Sequence, residues 1–467
     1  MSKRRKEYRN VVIDDLEYQG YGVARPQGKV LFVEDTLPGE EVDVRIVRDK
    51  RDYAFATPTA FHRHSPERVE PFCRHFDGCG GCKWQYLPYP RQAEYKQYFV
   101  EQMLQRIGKI PEPTIDPIIA CEQDRYYRNK LDYSFTESRW LSAEEVASGE
   151  ELDRRGLGFH VRRRFDRVLD IEHCWLQPEP SNRIRNALRD YAKDEGLPFF
   201  DPVKNEGFLR SLVIRTSLFE ETMVMVVFAT DTEEARRRVM QFLEQRFPEI
   251  DSLAYMINTT KNDSTIPHPA HIWSGKDHIR EKMGERVLRI HPKSFYQTNP
   301  AQALRLYEVV REMAGLTGTE RVYDLYCGIG SIGLYLADRA QAVIGIDTVP
   351  EAIENAIENA AANGAGNCSF RTGDVKDLLD ADFIAEHGPP DVVIIDPPRA
   401  GMHPRVVKTL LEVRPPHIVY VSCNPATQAR DLQELTTAYE ITRIQPVDMF
   451  PQTFHIENVI DLTRRPA

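Results

Sequence analysis

Long hydrophobic runs are missing: no apolar stretch approaches the roughly 18 residues of a membrane-spanning helix, so no membrane association is predicted. Cysteine is scarce as well, eight in 467 residues and clustered, which excludes the disulfide framework of a small secreted scaffold. Such sparing use of thiols fits a reducing, cytoplasmic setting. The basic start MSKRRKEYRN has no apolar segment behind it and so does not read as a secretory signal. Positive charge is not in excess either. A net charge of −10 excludes a uniformly basic nucleic-acid coat and leaves such binding to local patches. Neither an internal repeat nor a low-complexity segment is visible.

What remains is an ordinary globular composition, 41% hydrophobic and 28% charged, with length for about three domains. Residues 1–66 read as a small all-β unit, because VVIDDL, GYGVARPQGKVLFVED and EEVDVRIVRD are short alternating runs divided by Gly, Pro and Asp. Small barrels of this kind are common nucleic-acid scaffolds. Residues 67–300 mix strands with a few helices. Within them the apolar spacing of LPYPRQAEYKQYFVEQMLQRIGK predicts an amphipathic helix over about 88–113 with Gly108 as a stop. Residues 301–467 alternate strand-like and helical segments, which implies a doubly wound parallel sheet. The last two strand-like runs are expected to pair antiparallel at one edge.

Ligands of open α/β sheets bind beyond the carboxyl ends of the strands. Five such ends carry polar residues: Asp324 to Gly330, Asp347, Asp374, Asp396-Pro397-Pro398-Arg399, and Ser422-Cys423-Asn424-Pro425. Gly328-x-Gly330-x-x-Gly333 fits a dinucleotide fingerprint, with Asp347 placed 19 residues after Gly328 to hold ribose hydroxyls. This pattern admits NAD and other adenosine cofactors alike. Asp324 favours a cationic one, and S-adenosylmethionine carries both a sulfonium and an amino group. Asp374 is placed for the adenine side. The prolines of the Asp396 loop force the chain rigidly out of the sheet. Arg399 stands where amino-directed methyltransferases carry an aromatic, so stacking on an exocyclic amine is not favoured.

Cys423 then has a use. Carbon 5 of uracil is a poor nucleophile until a thiolate adds to carbon 6. A base must afterwards remove the proton from carbon 5, and Glu457, at the start of the final strand, suits that role. His455 competes with it and reads better as a positioning or packing residue. A second cluster, Cys73-x5-Cys79-x2-Cys82, has a spacing compatible with an iron–sulfur cluster or with zinc. Cys121 and Cys174 are both available as a fourth ligand. The segment Arg125 to Lys130 interleaves base-stacking and phosphate-binding residues. Basic runs at SKRRKEYR, Arg154-Arg155 and Arg162 to Arg164 read as solvated surface or phosphate contacts.

Together DLYCGIG, the Asp396-Pro397-Pro398-Arg399 loop, SCNPAT-x-ARDL and DMFPQT-x-H-x-E resemble the RNA uracil-5-methyltransferases, over nearly the whole chain. The N-terminal unit resembles their TRAM domain, and SPERVEPFCRHFDGCGGCKWQ their iron–sulfur segment. The branch most resembled modifies 23S ribosomal RNA. The resemblance implies a Rossmann-like class I methyltransferase domain at 301–467. It also implies an OB-like TRAM β-barrel at 1–66 and a mixed central domain at 67–300, with the 88–113 helix packed on the catalytic domain. By position it makes Cys423 the nucleophile and Glu457 the base. Gln297, Tyr326, Ser331, Asp347 and Asp374 become S-adenosylmethionine contacts, and Asp396 a carboxylate near cofactor and uracil. Ser331 falls where many relatives have Asn, and Asp347 where Glu is frequent. DIEHCWL matches the family's fourth-cysteine segment, so Cys174 joins Cys73, Cys79 and Cys82 as ligands of a 4Fe-4S cluster. The expected partner is RNA, 23S ribosomal or alternatively transfer RNA. A metal-braced RNA-binding module without activity, a cytosine-5-methyltransferase and an NAD-dependent oxidoreductase are the competing functions.

Overall fold

Alternation of apolar and polar residues shapes the amino-terminal end of this computed structural model, which describes residues 6–262, 264 and 267–466. The basic run SKRRKEYR therefore lies partly outside the described residues. Strands Glu7–Val12, Asp15–Leu16, Gly22–Ala24, Val30–Val33, Glu41–Asp49 and Tyr53–Arg63 form a six-stranded sheet. In VLFV, Leu31 and Val33 are buried with Val42, Val44, Ala54 and Ala56, while Phe32 faces the other side beside Phe55. The turn after Asp15–Leu16 rests on the next segment of chain. Gly20 has φ +89, and a Cβ there would lie 2.3 Å from Trp84 Nε1, so only glycine lets the turn sit on the indole.

The central region holds a second sheet, of seven strands, built mainly from Lys130–Thr136, Leu209–Thr216, Thr222–Phe228 and Ile250–Ile257. Thr222–Phe228 is buried on both faces, as its unbroken apolar sequence requires. Helices Ser181–Asp194 and Glu233–Arg246 contribute Ile184, Leu188, Val239 and Leu243 to the core against it. The helix predicted over 88–113 is α1, Tyr89–Arg106; its proline-led start and the Gly108 amide bonded back to Met103 O set its ends. Phe99 of α1 lies in the central core, whereas Val100 and Leu104 lie in the core of the third sheet.

That third sheet comprises β1 (Arg321–Leu325), β2 (Ala342–Asp347), β3 (Cys368–Thr372), β4 (Val392–Ile395), β5 (His417–Ser422), β6 (Tyr439–Val447) and β7 (Glu457–Arg464). Their spatial order is β3-β2-β1-β4-β5-β7-β6. The first five are parallel and doubly wound; β7 inserts antiparallel between β5 and β6. Among the described residues no helix is long and apolar enough to cross a membrane.

The three regions meet at residues 448–456. Lys96 of α1 and Asp448 form an ion pair of 2.6 Å with neither side chain exposed. Lys96 Nζ also donates to Phe450 O at 3.0 Å, and the Tyr89 hydroxyl donates to Asp448 Oδ2 at 3.1 Å. Burial lowers the Lys96 pKa, against which Asp448 acts. Gln92 and Gln452 exchange two hydrogen bonds of 2.9 and 2.8 Å. The amides of Lys83 and Trp84 both donate to Gln452 O, and the Tyr127 hydroxyl donates to Pro451 O at 2.9 Å. Asp448→Asn would strand a buried ammonium, and the loss expected from breaking such a pair is about 3–5 kcal/mol. A clear fall in the urea midpoint for loss of secondary structure checks this; an unchanged midpoint contradicts it.

Candidate active site

The carboxyl ends of β1, β2, β4 and β5 open onto a cavity of about 1320 Å³. Its lining includes Gln297, Tyr326, Gly328, Asp347, Asp374, Asp396, Arg399, Cys423 and Glu457. Of the catalytic and cofactor residues expected from the sequence, Ser331 and Asp324 alone lie outside this lining. Ser331 Oγ instead accepts a hydrogen bond from the Tyr307 hydroxyl at 3.1 Å and lies outside the lining.

The glycine loop after β1 is held by two carboxylates. Asp347 Oδ2 accepts from Gly328 N and Oδ1 from Val349 N, both at 2.9 Å, which fixes a carboxylate at the cavity wall with lone pairs to spare. Asp324 differs from the sequence-based expectation. It is buried, does not line the cavity, and accepts from Gly333 N at 2.9 Å, pinning the helix that follows the loop. Burial pushes its carboxyl up to about 7. Gly333 is required there, since a Cβ would come 2.9 Å from that same oxygen. Asp374 caps the short helix Val375–Leu378 through Lys376 N and is also paired with the Lys376 ammonium, which holds its carboxyl below the usual range.

Cys423 and Glu457 owe their placement to one ladder. The antiparallel register of β5 and β7 pairs Val421 with Val459 and Ser422 with Asn458. Carried one residue further, it sets Cys423 opposite Glu457. Buried Gln428 locks these strand ends, donating to Tyr420 O at 2.8 Å and Asn458 O at 3.1 Å while accepting from Asn458 Nδ2 at 2.7 Å. Asn424 caps the helix Pro425–Leu435 and donates to Arg399 O at 3.0 Å, tying the Cys423 loop to the Asp396 loop.

The electrostatics follow from burial. Burial pushes the Cys423 thiol up to about 12, reinforced by Glu457 and Asp396 and opposed by Arg399. Asp396 is pushed up to about 7. Glu457 is raised well above the carboxylate range, first by burial and then by Asp396, with Arg399 opposing. Burial thus opposes ionisation of Cys423, Asp396 and Glu457 alike, with Arg399 as the nearby cation. His455 is pushed down to about 3, chiefly by burial, which leaves its imidazole neutral and a weaker base than an ordinary histidine. In the sequence Arg399 shows only as a missing aromatic, and that substitution is its signal.

The four cysteines expected to act together also converge. Cys73, Cys79, Cys82 and Cys174 line a separate cavity of about 120 Å³, whereas Cys121 lies against Asp448 and Asn299. Among the described residues no three His, Cys, Asp or Glu side chains are grouped to hold a metal ion as they stand. Of the expected RNA contacts, Tyr126 is exposed but Tyr127 is core, so the segment does not present both rings. Arg162 and Arg163 pair with Asp35 and Glu34 and fasten the N-terminal sheet to the central region.

Residues 215–465 match the tRNA (uracil-5-)-methyltransferase family model, and residues 2–59 match the TRAM domain. The chain is 50% identical over 451 residues to an RNA methyltransferase of Bacteroides thetaiotaomicron, covering 96% of this chain and 99% of that one. It is 46% identical to one of Porphyromonas gingivalis, covering 97% and 99%. The crystal structure of Pyrococcus abyssi tRNA (uracil-54, C5)-methyltransferase with S-adenosyl-L-homocysteine superposes with a TM-score of 0.76 at 31% identity, covering 97% of this chain and 99% of that chain. With a class I methyltransferase sheet and a TRAM domain in place, the chain belongs to the tRNA (uracil-5-)-methyltransferase family of S-adenosylmethionine-dependent RNA methyltransferases.

Proposed function

We propose that this protein methylates carbon 5 of a uridine in 23S ribosomal RNA, in the cytoplasm, through a covalent adduct with Cys423. The observation that carries the reading is the β5–β7 register, which sets a thiol and an unpaired carboxyl opposite each other at the cavity. Residues Gln297, Tyr326, Asp347 and Asp374 would hold S-adenosylmethionine, with Asp347 accepting from the ribose hydroxyls and Asp374 at the adenine. When bound, the cofactor supplies an electrophilic methyl carbon. The Cys423 thiol passes its proton to Asp396, and the sulfur bonds to carbon 6 of uracil. Carbon 5 takes the methyl group. Glu457 then accepts the carbon 5 proton, and the electrons of that C–H bond restore the ring double bond as the Cys423 thiolate leaves. Arg399 offsets the negative charge that builds up among these groups.

Cys73, Cys79, Cys82 and Cys174 would hold a 4Fe-4S cluster as thiolates. Four thiols around one zinc ion would stand about 3.8 Å apart, given Zn–S bonds of about 2.3 Å; here they surround a cavity of about 120 Å³. That arrangement supports the larger group, whose part we assign to bracing the central region. A transfer-RNA target is the second reading, favoured by the likeness to the Pyrococcus abyssi transfer-RNA enzyme. Methyl transfer to unmodified 23S ribosomal RNA but not to unmodified transfer RNA decides for the first; the reverse decides for the second.

Four outcomes are expected. Cys423→Ala forms no denaturation-resistant complex with 5-fluorouridine RNA, and trapping equal to wild type would remove Cys423 as nucleophile. Glu457→Gln accumulates the adduct on ordinary RNA and slows turnover by roughly 10²- to 10⁴-fold; normal turnover would dismiss it as the base. Because Asp396 must be ionised to take the thiol proton, adduct formation rises with pH through about 7 and then flattens. A rate falling between pH 6 and 8 contradicts that assignment. Iron content and broad visible absorption of anaerobically purified protein, both lost in Cys174→Ser, check the cluster.

A further inference from the structure

One stretch of the cavity wall has no regular structure of its own. Residues 291–299 run without helix or strand from the hairpin of Ile279–Met283 and Arg286–Ile290 to the helix Pro300–Ala314. Phe295 and Gln297 line the cavity, and Phe295 is 69% exposed, whereas Tyr296 between them is 2% exposed. Outside a ladder, the carbonyls of such a segment need partners from elsewhere. The central region supplies them. Arg215 Nη2 donates to Ser294 O at 2.8 Å. Asn129 donates twice, from its backbone amide to Thr298 O at 2.8 Å and from Nδ2 to Gln297 O at 3.2 Å.

Asn129 holds Gln297 O with only one orientation of its side-chain amide, and Glu281 selects that orientation. Asn129 Nδ2 also donates to Glu281 Oε2 at 3.2 Å, and both residues are buried. Glu281 Oε1 accepts from the amides of Leu218 and Lys282 at 3.0 and 2.9 Å. Every one of these partners is an N–H donor, so the position calls for a group that accepts on both oxygens. Burial opposes ionisation of Glu281, and the three donors together with Arg215 act against it. A flipped Asn129 amide would set its oxygen against the carboxylate and the Gln297 carbonyl at once, leaving buried acceptors unpaired. Neither Glu281 nor Asn129 lines the cavity, so any effect of theirs on a ligand passes through the segment they hold.

We propose that Glu281 is a positioning residue of the cofactor site: through the Asn129 amide it fixes the backbone at Gln297, and with it the reach of the Gln297 side chain toward S-adenosylmethionine. Cofactor affinity is then set partly by the central region and not by the doubly wound sheet alone. The inference rests on the assignment of Gln297 as a cofactor contact made above.

The test uses the full-length protein, with calorimetric binding of S-adenosylhomocysteine beside steady-state kinetics on unmodified RNA. Glu281→Gln keeps the shape but replaces one accepting oxygen with a donor. It is expected to weaken S-adenosylhomocysteine about 5-fold, the scale of one hydrogen bond, and to raise the KM for S-adenosylmethionine in proportion, with kcat at saturation unchanged. Asn129→Ala, which leaves Glu281 its two backbone donors, should do the same and carries the test if Glu281→Gln does not fold. In a Gln297→Ala background neither change should weaken binding further, because the side chain they position is gone. Wild-type affinity in Glu281→Gln or Asn129→Ala, with Gln297→Ala weakened, overturns the proposal. So does a loss of equal size in the Gln297→Ala background, which would make Glu281 a packing residue. Gln297→Ala with wild-type affinity overturns Gln297 as a cofactor contact, and this inference with it.

Discussion

The buried Lys96–Asp448 ion pair is the constraint on which the active site depends. Residues 448–456 lead directly into Glu457, yet no regular secondary structure spans that stretch. A loop in this position would ordinarily be mobile. Here α1, the cysteine segment and the Asp124–Tyr127 segment each bond to it, through Lys96 and Gln92, through the Lys83 and Trp84 amides, and through Tyr127. An uncompensated charge in such surroundings is costly, so the pair fixes where the loop can lie. The cysteine cavity is thereby tied to the larger one: Cys82 is the neighbour of Lys83, and Arg128, which lines the smaller cavity, lies 5.5 Å over the Phe450 ring on the wall of the other.

Burial does a second thing at this site. It gathers a thiol and two carboxyls in a place that water solvates poorly and raises all three above their ordinary values. In water a carboxyl near pH 7 would be ionised and a thiol mostly not. Here the groups compete for the same few protons, with Arg399 as the counterweight. This is the condition under which a carboxyl can serve as acceptor in one step and its neighbour in the next.

Much of this was legible in the sequence, because it is written in short-range patterns. Alternating strands and helices specified the doubly wound sheet, and the polar strand ends marked the rim. What escaped depended on distant partners. Asp324 looked like a cofactor group, but nine residues on lies Gly333, whose amide it holds inside the protein. Ser331 sits in the expected loop, yet Tyr307 from another helix draws its hydroxyl away. Tyr127 alternates with basic residues as an RNA-binding aromatic would, yet it is buried in the central core with its hydroxyl bonded to Pro451 O.

The antiparallel insertion of β7 beside β5 has a consequence for how such proteins diverge. Cys423 and Glu457 face each other at the end of one ladder, so their separation is a property of the backbone and survives changes in the loops around them. The loops that line the larger cavity can therefore vary while the facing of these two side chains is kept.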